Sequence, residues 1–547
     1  MSRRTPAATG DIVERHASES YHVLGEGLLA VTAGGRRDCP GMAADATDAA
    51  PPFRFSRIGP EGRQLDDLTI RRLSAAMTHG GGFGAEQSDV PAGFTYLGQF
   101  IAHDMSFDRT CVTLGENVSP ARLLQGRSPC LDLDSLYGAG PQDPESAGLY
   151  EPDGVHLTMG STVDALGISG RDGFDLPRGA GSTEADIRKA VIADERNDEN
   201  LALAQTHLAF IRFHNRVVDT LPASVPPALC FVRARELVTK HYQWMIRTDY
   251  LHRICASAVV DDVFTNGRRV FEPAAGIDAV PTMPIEFSIG TFRLGHSMVR
   301  SFYSWNRRHD DNTVALEQLF VHSAKGGSLG GRERLRSDMV ADFRRLYDFA
   351  EAGRSAFAVC ADKFNRALRI DTRLAARLTG LPSGIFGEPE VPPDDPQSNL
   401  AFRNLARARM VKLATGQQMA DLLDPGGVSL RRLDRKQILG GDNGANLHKL
   451  RPEQAEELAA HTPLWFYILR EAELNGGKLN GVGARIVAET FHRAIEGSRA
   501  SIVRDRSWRP TLGPDATRFS MVDLLLFAFE DDMRLLAPLE PASHPPA

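Results

Sequence analysis

Residues 201–221 read LALAQTHLAFIRFHNRVVDTL, and their apolar side chains recur at three- and four-residue intervals. That spacing puts one continuous stripe on a helix, so the stretch predicts a long core-facing helix. Working outward, CFVRARELVTKHYQWMIRTDYLHRIC (230–255) carries the same intervals and predicts a second long helix. Further helical patterns run through SDMVADFRRLYDFAEAG (337–353), TPLWFYILREAELN (462–475) and GARIVAETFHRAIEG (483–497). Alternating patterns of the β type are short and scattered. The fold class expected is mainly α, with few short strands, and no repeat period suggests a solenoid.

The chain has 547 residues, 42% of them hydrophobic and 24% charged, which is ordinary globular composition and excludes a fibrous or wholly disordered class. A formal net charge of -7 provides no broad positive field for a nucleic-acid backbone. No window approaches the roughly 18 apolar residues of a membrane span. The N-terminal MSRRTPAATGDIVERHASES has no apolar run behind its basic start, so cytoplasmic residence is the expectation, with non-classical secretion left open. Six scattered cysteines, without CxxC spacing, read as reduced thiols. Residues 1–50 read as an N-terminal arm, 51–540 as one domain and 541–547 as a tail. The glycine-rich THGGGFGAE (78–86) lacks the Lys-Ser/Thr of a phosphate-binding loop. EPEVPPDDPQ (388–397) reads as a connection.

Five polar constellations interrupt this apolar pattern. In YLGQFIAHDMSFD (96–108), a helix would put Gln99 and His103 on one face and turn Asp104 about 100° away. Arg196 and Glu199, three apart in ERNDENLALAQ, can meet one pocket or form a surface ion pair. His207 and His214, further along, read as hydrogen-bonded packing residues. In TFRLGHSMVRSF, Gly295 lets a flat object or another backbone come close to His296, and neutral imidazole is a common metal ligand, haem iron included. Asp132 and Asp134 in SPCLDLDSLYG would point the same way from an extended backbone, suiting calcium if Asp104 joins them, or forming a solvated acidic loop. Asn404 and Arg407 in NLAFRNLARARM could orient an imidazole and pair with a carboxylate, or lie on a basic helix face.

Taken together and in this order, the constellations resemble those of the animal-type haem peroxidases of the peroxidase-cyclooxygenase superfamily, particularly its bacterial members. The likeness runs from PAGFTYLGQFIAHD through LDLDSLYG, ERNDEN, FRLGHSM and FRNLARAR to FSMVDLLLFA. It implies a helical core around a buried haem b, and reduction of hydrogen peroxide through compound I with oxidation of halide, pseudohalide or small aromatic donors. By the same resemblance His103 is the distal histidine with Gln99 beside it, and Arg196 is the distal arginine. His296 is the iron ligand, Asn404 its hydrogen-bond partner, and Arg293 and Arg407 face the propionates. Glu199 matches a residue that can be esterified to haem. Asp104, Ser128, Cys130 (through its carbonyl), Asp132 and Asp134 match calcium positions. Two positions depart from mammalian members: Ala102 cannot form the second ester, and Asn200 offers no sulfonium link, so at most one covalent bond is open.

Two competing functions remain. A fatty-acid oxygenase on the same scaffold would use a tyrosine three residues before the proximal histidine, where this chain has Arg293. A haem-free, calcium-dependent binding protein would keep the fold without the chemistry.

Overall fold

The computed structural model describes residues 53–78, 87–110, 112, 114–276, 278–381, 395–424 and 432–540. The arm 1–50, the tail 541–547, Cys39, Cys111, residues 79–86 of the glycine-rich stretch and residues 388–394 of the proline-rich one lie outside them. Within the described residues the chain is mainly helical. Among those residues the strands form four two-stranded pairs, such as Phe302–Tyr303 antiparallel to Val314–Ala315. No helix among the described residues is long and apolar enough to cross a membrane.

Eight helices position the site: α1 (Gly93–Met105), α2 (Leu201–Asp219), α3 (Cys230–Met245), α4 (Gly295–Met298), α5 (Leu400–Met410), α6 (Leu464–Glu473), α7 (Gly481–Gly497) and α8 (Met521–Ala528). Helix α2 is the hub, packed against α1, α3 and α8. Its start is fixed by Asn200, whose side chain accepts a hydrogen bond from Leu203 N at 2.9 Å and so satisfies one of the amides a helix leaves unpaired. Its stripe inserts Phe210, which stacks on Phe100 of α1 with ring centroids 4.4 Å apart. Tyr242 of α3 meets both rings edge-on. Such pairs add about 0.5–1.5 kcal/mol beyond the area they bury.

Two helical expectations need correction. Residues 230–255 do not form one α-helix, because after α3 the chain widens into a π-turn at Ile246–Tyr250 before a last α-turn at Leu251–Ile254. Residues 337–353 contain only the 3-10 turns Ser337–Met339 and Phe343–Arg345. Side chains have taken the carbonyls a helix would use there: Asn306 Nδ2 donates to the carbonyls of Asp338 and Val340, and Trp305 Nε1 to that of Met339. The Asp342 carboxylate caps Arg344 N and pairs with the Arg344 guanidinium. Local periodicity lost to tertiary hydrogen bonds.

Candidate active site

Helices α1 and α4 lie against each other, and between them opens a cavity with about 1060 Å3 of atom-free space, part of it open to solvent. Gln99, Ala102, Glu199, Asn200, Arg293 and His296 line it. His103, Arg196, Asn404 and Arg407 are buried and stand outside that lining. Of the predicted residues, Gln99, Glu199, Arg293 and His296 thus line the space, and Asn404 reaches it through its bond to His296.

On the α1 side, Asn200 does two jobs. Besides capping α2, its Nδ2 donates to Gln99 Oε1 at 3.0 Å, while Gln99 Nε2 donates to Glu199 Oε2 at 3.4 Å. Behind them, His103 Nδ1 lies 2.9 Å from Asn197 Oδ1. The Arg196 guanidinium donates to the His103 carbonyl at 3.0 Å and to Asp194 through Nε and Nη2 at 2.9 and 2.7 Å, with its face over Phe107 at 4.2 Å. Arg127 grips the same carboxylate at 2.5 Å. Burial would raise the Asp194 carboxyl, but the Arg196 and Arg127 guanidiniums outweigh it and hold the group well below the usual carboxylate range.

On the opposite side, the chain reaches His296 through the π-turn Glu286–Gly290, the 3-10 turn Thr291–Leu294 and then α4. Irregular helix of this kind recurs at functional sites. Gly295 lines the cavity, and a Cβ built on it would meet nothing within 4 Å. Space therefore lies beside His296. The Trp465 ring of α6 meets the imidazole edge-on at 6.4 Å and donates through Nε1 to the Arg293 carbonyl at 3.2 Å.

Asn404, on α5, presents Nδ2 to His296 Nδ1 at 2.7 Å. Its Oδ1 is buried with no hydrogen-bond partner among the described residues. As placed, the amide asks His296 Nδ1 to accept, which puts the ring proton on Nε2, the nitrogen a metal would need. A half-turn of the amide brings the orphaned oxygen to Nδ1 and reverses the tautomer, so this donor set fits a metal-ligating imidazole.

Sequence reasoning missed three buried residues here. Asp194 and Asn197 are described above. Asp108 has a carboxyl raised to about 6 by burial, opposed by hydrogen bonds from Thr110 and by the positive fields of Arg407 and Arg293. Each is a polar residue close in sequence to one that was singled out, which was the only available signal.

The expected calcium residues share one region without forming a cage. Among the described residues no group of three or more His, Cys, Asp or Glu side chains is arranged to hold a metal. Leu133 is left-handed at φ 58° and Asp134 begins a helical turn, so the backbone is not extended, and the two carboxylates take different partners. Asp132 accepts from Ser498 Oγ and Arg499 N; Asp134 pairs with Arg235 at 3.4 Å. Asp104 accepts from Leu133 N, Ser135 N and Ser135 Oγ at 3.1–3.2 Å. Ser128 Oγ accepts from Cys130 N at 3.3 Å. Burial and the neighbouring Asp134 push the Asp104 carboxyl to about 7; burial and Asp132 do the same for Asp134.

Comparison with known proteins defines the class. Residues 89–343 match the animal haem peroxidase family model. The fold is similar to peroxidase A of Dictyostelium discoideum, with TM-score 0.54 and 15% identity over 96% of this chain and 99% of that one. It is also similar to the fatty acid alpha-dioxygenase of Oryza sativa, with TM-score 0.55 and 11% identity over 89% and 82%. In sequence, 176 residues are 26% identical to a peroxidasin homolog of Caenorhabditis briggsae, and 113 residues are 26% identical to a peroxidase-like protein of Margaritifera margaritifera. These matches span 13% and 14% of those proteins. Residues 89–343, somewhat under half of the chain, thus match an animal haem peroxidase domain, and the mainly helical fold described above is similar to that of these solved structures.

Proposed function

We propose that the chain is a haem-dependent peroxidase that reduces hydrogen peroxide and oxidises halide, pseudohalide or small aromatic donors. The observation that carries this reading is the placement of His103: a buried imidazole with Nδ1 on an amide oxygen has its lone pair on Nε2, the atom a general base needs. Nε2 takes a proton from one peroxide oxygen and returns it to the other. Arg196, oriented by Asp194 at the His103 carbonyl, contributes positive charge where negative charge grows. His296 would ligate haem iron with Asn404 on its far nitrogen, and Arg293 and Arg407 would pair with propionates. Haem, when bound, supplies an iron centre able to accept oxidising equivalents from peroxide. Glu199 lines the cavity and is the one side chain proposed for an ester to it; Glu199→Gln should leave all haem acid-extractable.

Calcium belongs to the same proposal. Its support is the burial of Asp104 beside the charge of Asp134, and of Asp134 beside that of Asp132, unfavourable neighbours that a divalent cation would relieve. Chelation that leaves both thermal stability and peroxide reactivity unchanged would remove calcium from the reading.

The test is an absorption spectrum of the full chain with haem, followed by peroxide mixing. A Soret band and peroxide consumption that His103→Ala slows about 10²–10⁴-fold are expected. No Soret band after reconstitution would leave a haem-free binding protein. A second reading, fatty-acid oxygenation, draws on the apolar cavity wall, where Phe94, Phe287, Phe292 and Leu400 stand with Tyr96 and Tyr250. Rapid oxygen uptake with an unsaturated fatty acid and no peroxide would put it first.

A further inference from the structure

Two imidazoles, not one, meet Asn197. Its Oδ1 faces His103 Nδ1 and its Nδ2 faces His207 Nδ1, each at 2.9 Å. His103 and His207 are 1% exposed and Asn197 is fully buried, so water cannot replace either bond. Asn197 sits on the 3-10 turn Glu195–Asp198, between Arg196 and Glu199. His207 is on α2 with its ring edge-on to Phe100 of α1.

We propose that Asn197 and His207 are positioning residues that set the tautomer of His103. An amide offers one accepting and one donating end. With its oxygen toward His103, the His103 proton must sit on Nδ1 and His207 must accept at Nδ1. With the amide reversed, both rings exchange tautomers, and His103 carries its proton on Nε2, where it is no base. The amide thus couples the tautomer of His103 to that of His207. It accepts only while neutral; burial pushes its pKa down to about 3, against the opposing field of Asp194, the charged group that faces it. The histidine is thereby neutral throughout the physiological range and able to accept at Nδ1, and with Asn197 Oδ1 toward His103, as placed, His103 keeps a basic Nε2.

This inference rests on the peroxidase reading for its purpose but not for its test. The ring nitrogens of His103 are followed by 15N NMR in the full chain labelled at histidine, with the signal assigned by its loss in His103→Gln. The unmodified protein should show hydrogen on Nδ1 alone. His207→Phe keeps the ring contact with Phe100 but removes the acceptor, and Asn197→Leu removes both ends; each should give mixed tautomers. Asn197→Asp restores an acceptor, so Nδ1–H should return. In the haem-loaded protein, His207→Phe should slow that reaction about tenfold, a part of the roughly 10²–10⁴ that a general base supplies. If His103 keeps hydrogen on Nδ1 alone in both His207→Phe and Asn197→Leu, the proposal is overturned. The predicted tautomer pattern in a chain that does not react with peroxide would sink the peroxidase reading and leave this one standing.

Discussion

Removing the Asp194 carboxylate tests the architecture behind the site more directly than removing any cavity residue. Its oxygens accept from Arg127 Nη2 at 2.5 Å and from Arg196 Nε and Nη2 at 2.9 and 2.7 Å. The three side chains are 0%, 8% and 5% exposed. Asp194→Ala therefore strands two guanidiniums away from water, and breaking a buried pair on one side costs about 3–5 kcal/mol. By contrast Glu456→Ala breaks an exposed pair with Arg435 and should leave the unfolding midpoint where it was. Guanidinium chloride unfolding at pH 7, followed by circular dichroism, reads both. The pH dependence has a definite sign. Because the Asp194 pKa is depressed, its stabilisation is complete above the unfolded value of about 3.9 and is lost as pH falls toward the folded one. The gap between native and variant midpoints should stay constant from pH 8 to 5 and narrow only below about pH 4. A loss under about 1 kcal/mol, or a gap already narrowing at pH 6, would refute the account of a clamped anion. Arg196 loses its orientation in the same variant, so the peroxide reaction should slow with it.

Other expected outcomes follow from single contacts. Asn200→Ala removes both the cap on α2 and the bond to Gln99, which should cost about 2 kcal/mol by denaturant unfolding; Asn200→Asp keeps the capping oxygen and should recover about half. Phe210→Ala empties the stack on Phe100 and should cost about 3–5 kcal/mol. Glu471 of α6 is buried and its carboxyl is raised to about 8, with Gly483 N and Val482 N opposing. Its contribution is fully present below the unfolded pKa of about 4.3 and lost as pH rises through 8. The unfolding midpoint of Glu471→Gln relative to the native chain should therefore climb between pH 5 and about 8 and level off above it, and parallel profiles would contradict the assignment.

The helices α2, α6 and α7 were legible because their apolar stripes are also their buried faces; Leu203, Phe210 and Val217 all turn inward as the spacing requires. Residues 337–353 carried a similar stripe and failed as a helix. The deciding partners, Trp305 and Asn306, lie more than thirty residues upstream, beyond any window in which periodicity is read. The site divides along the same line. Gln99 and Glu199 were visible as polar interruptions and they line one cavity. Asp132 and Asp134 were expected to act together from an extended strand. A left-handed Leu133 separates them, and no pattern of side chains announces a backbone sign.

The segment Asp194–Asn200 shows why polarity misleads in both directions. Six of its seven residues are buried although all seven are polar or charged, a composition that by itself reads as a solvated turn. Each has its own partner from a different part of the chain: Asp194 has Arg127, Asn197 has His103 and His207, and Asn200 has Gln99. Asp198 pairs with Arg178 at 2.5 Å, and Ser323 Oγ donates to the Glu199 carbonyl at 3.0 Å. Leaving any one unsatisfied in a low-dielectric interior costs more than making the bond contributes, so the bonds hold one another in place. That interdependence makes the segment rigid without making it apolar. A side chain that must hold its tautomer and its angle next to a reactive centre, as His103 is proposed to do, is best supported by a shell of this kind.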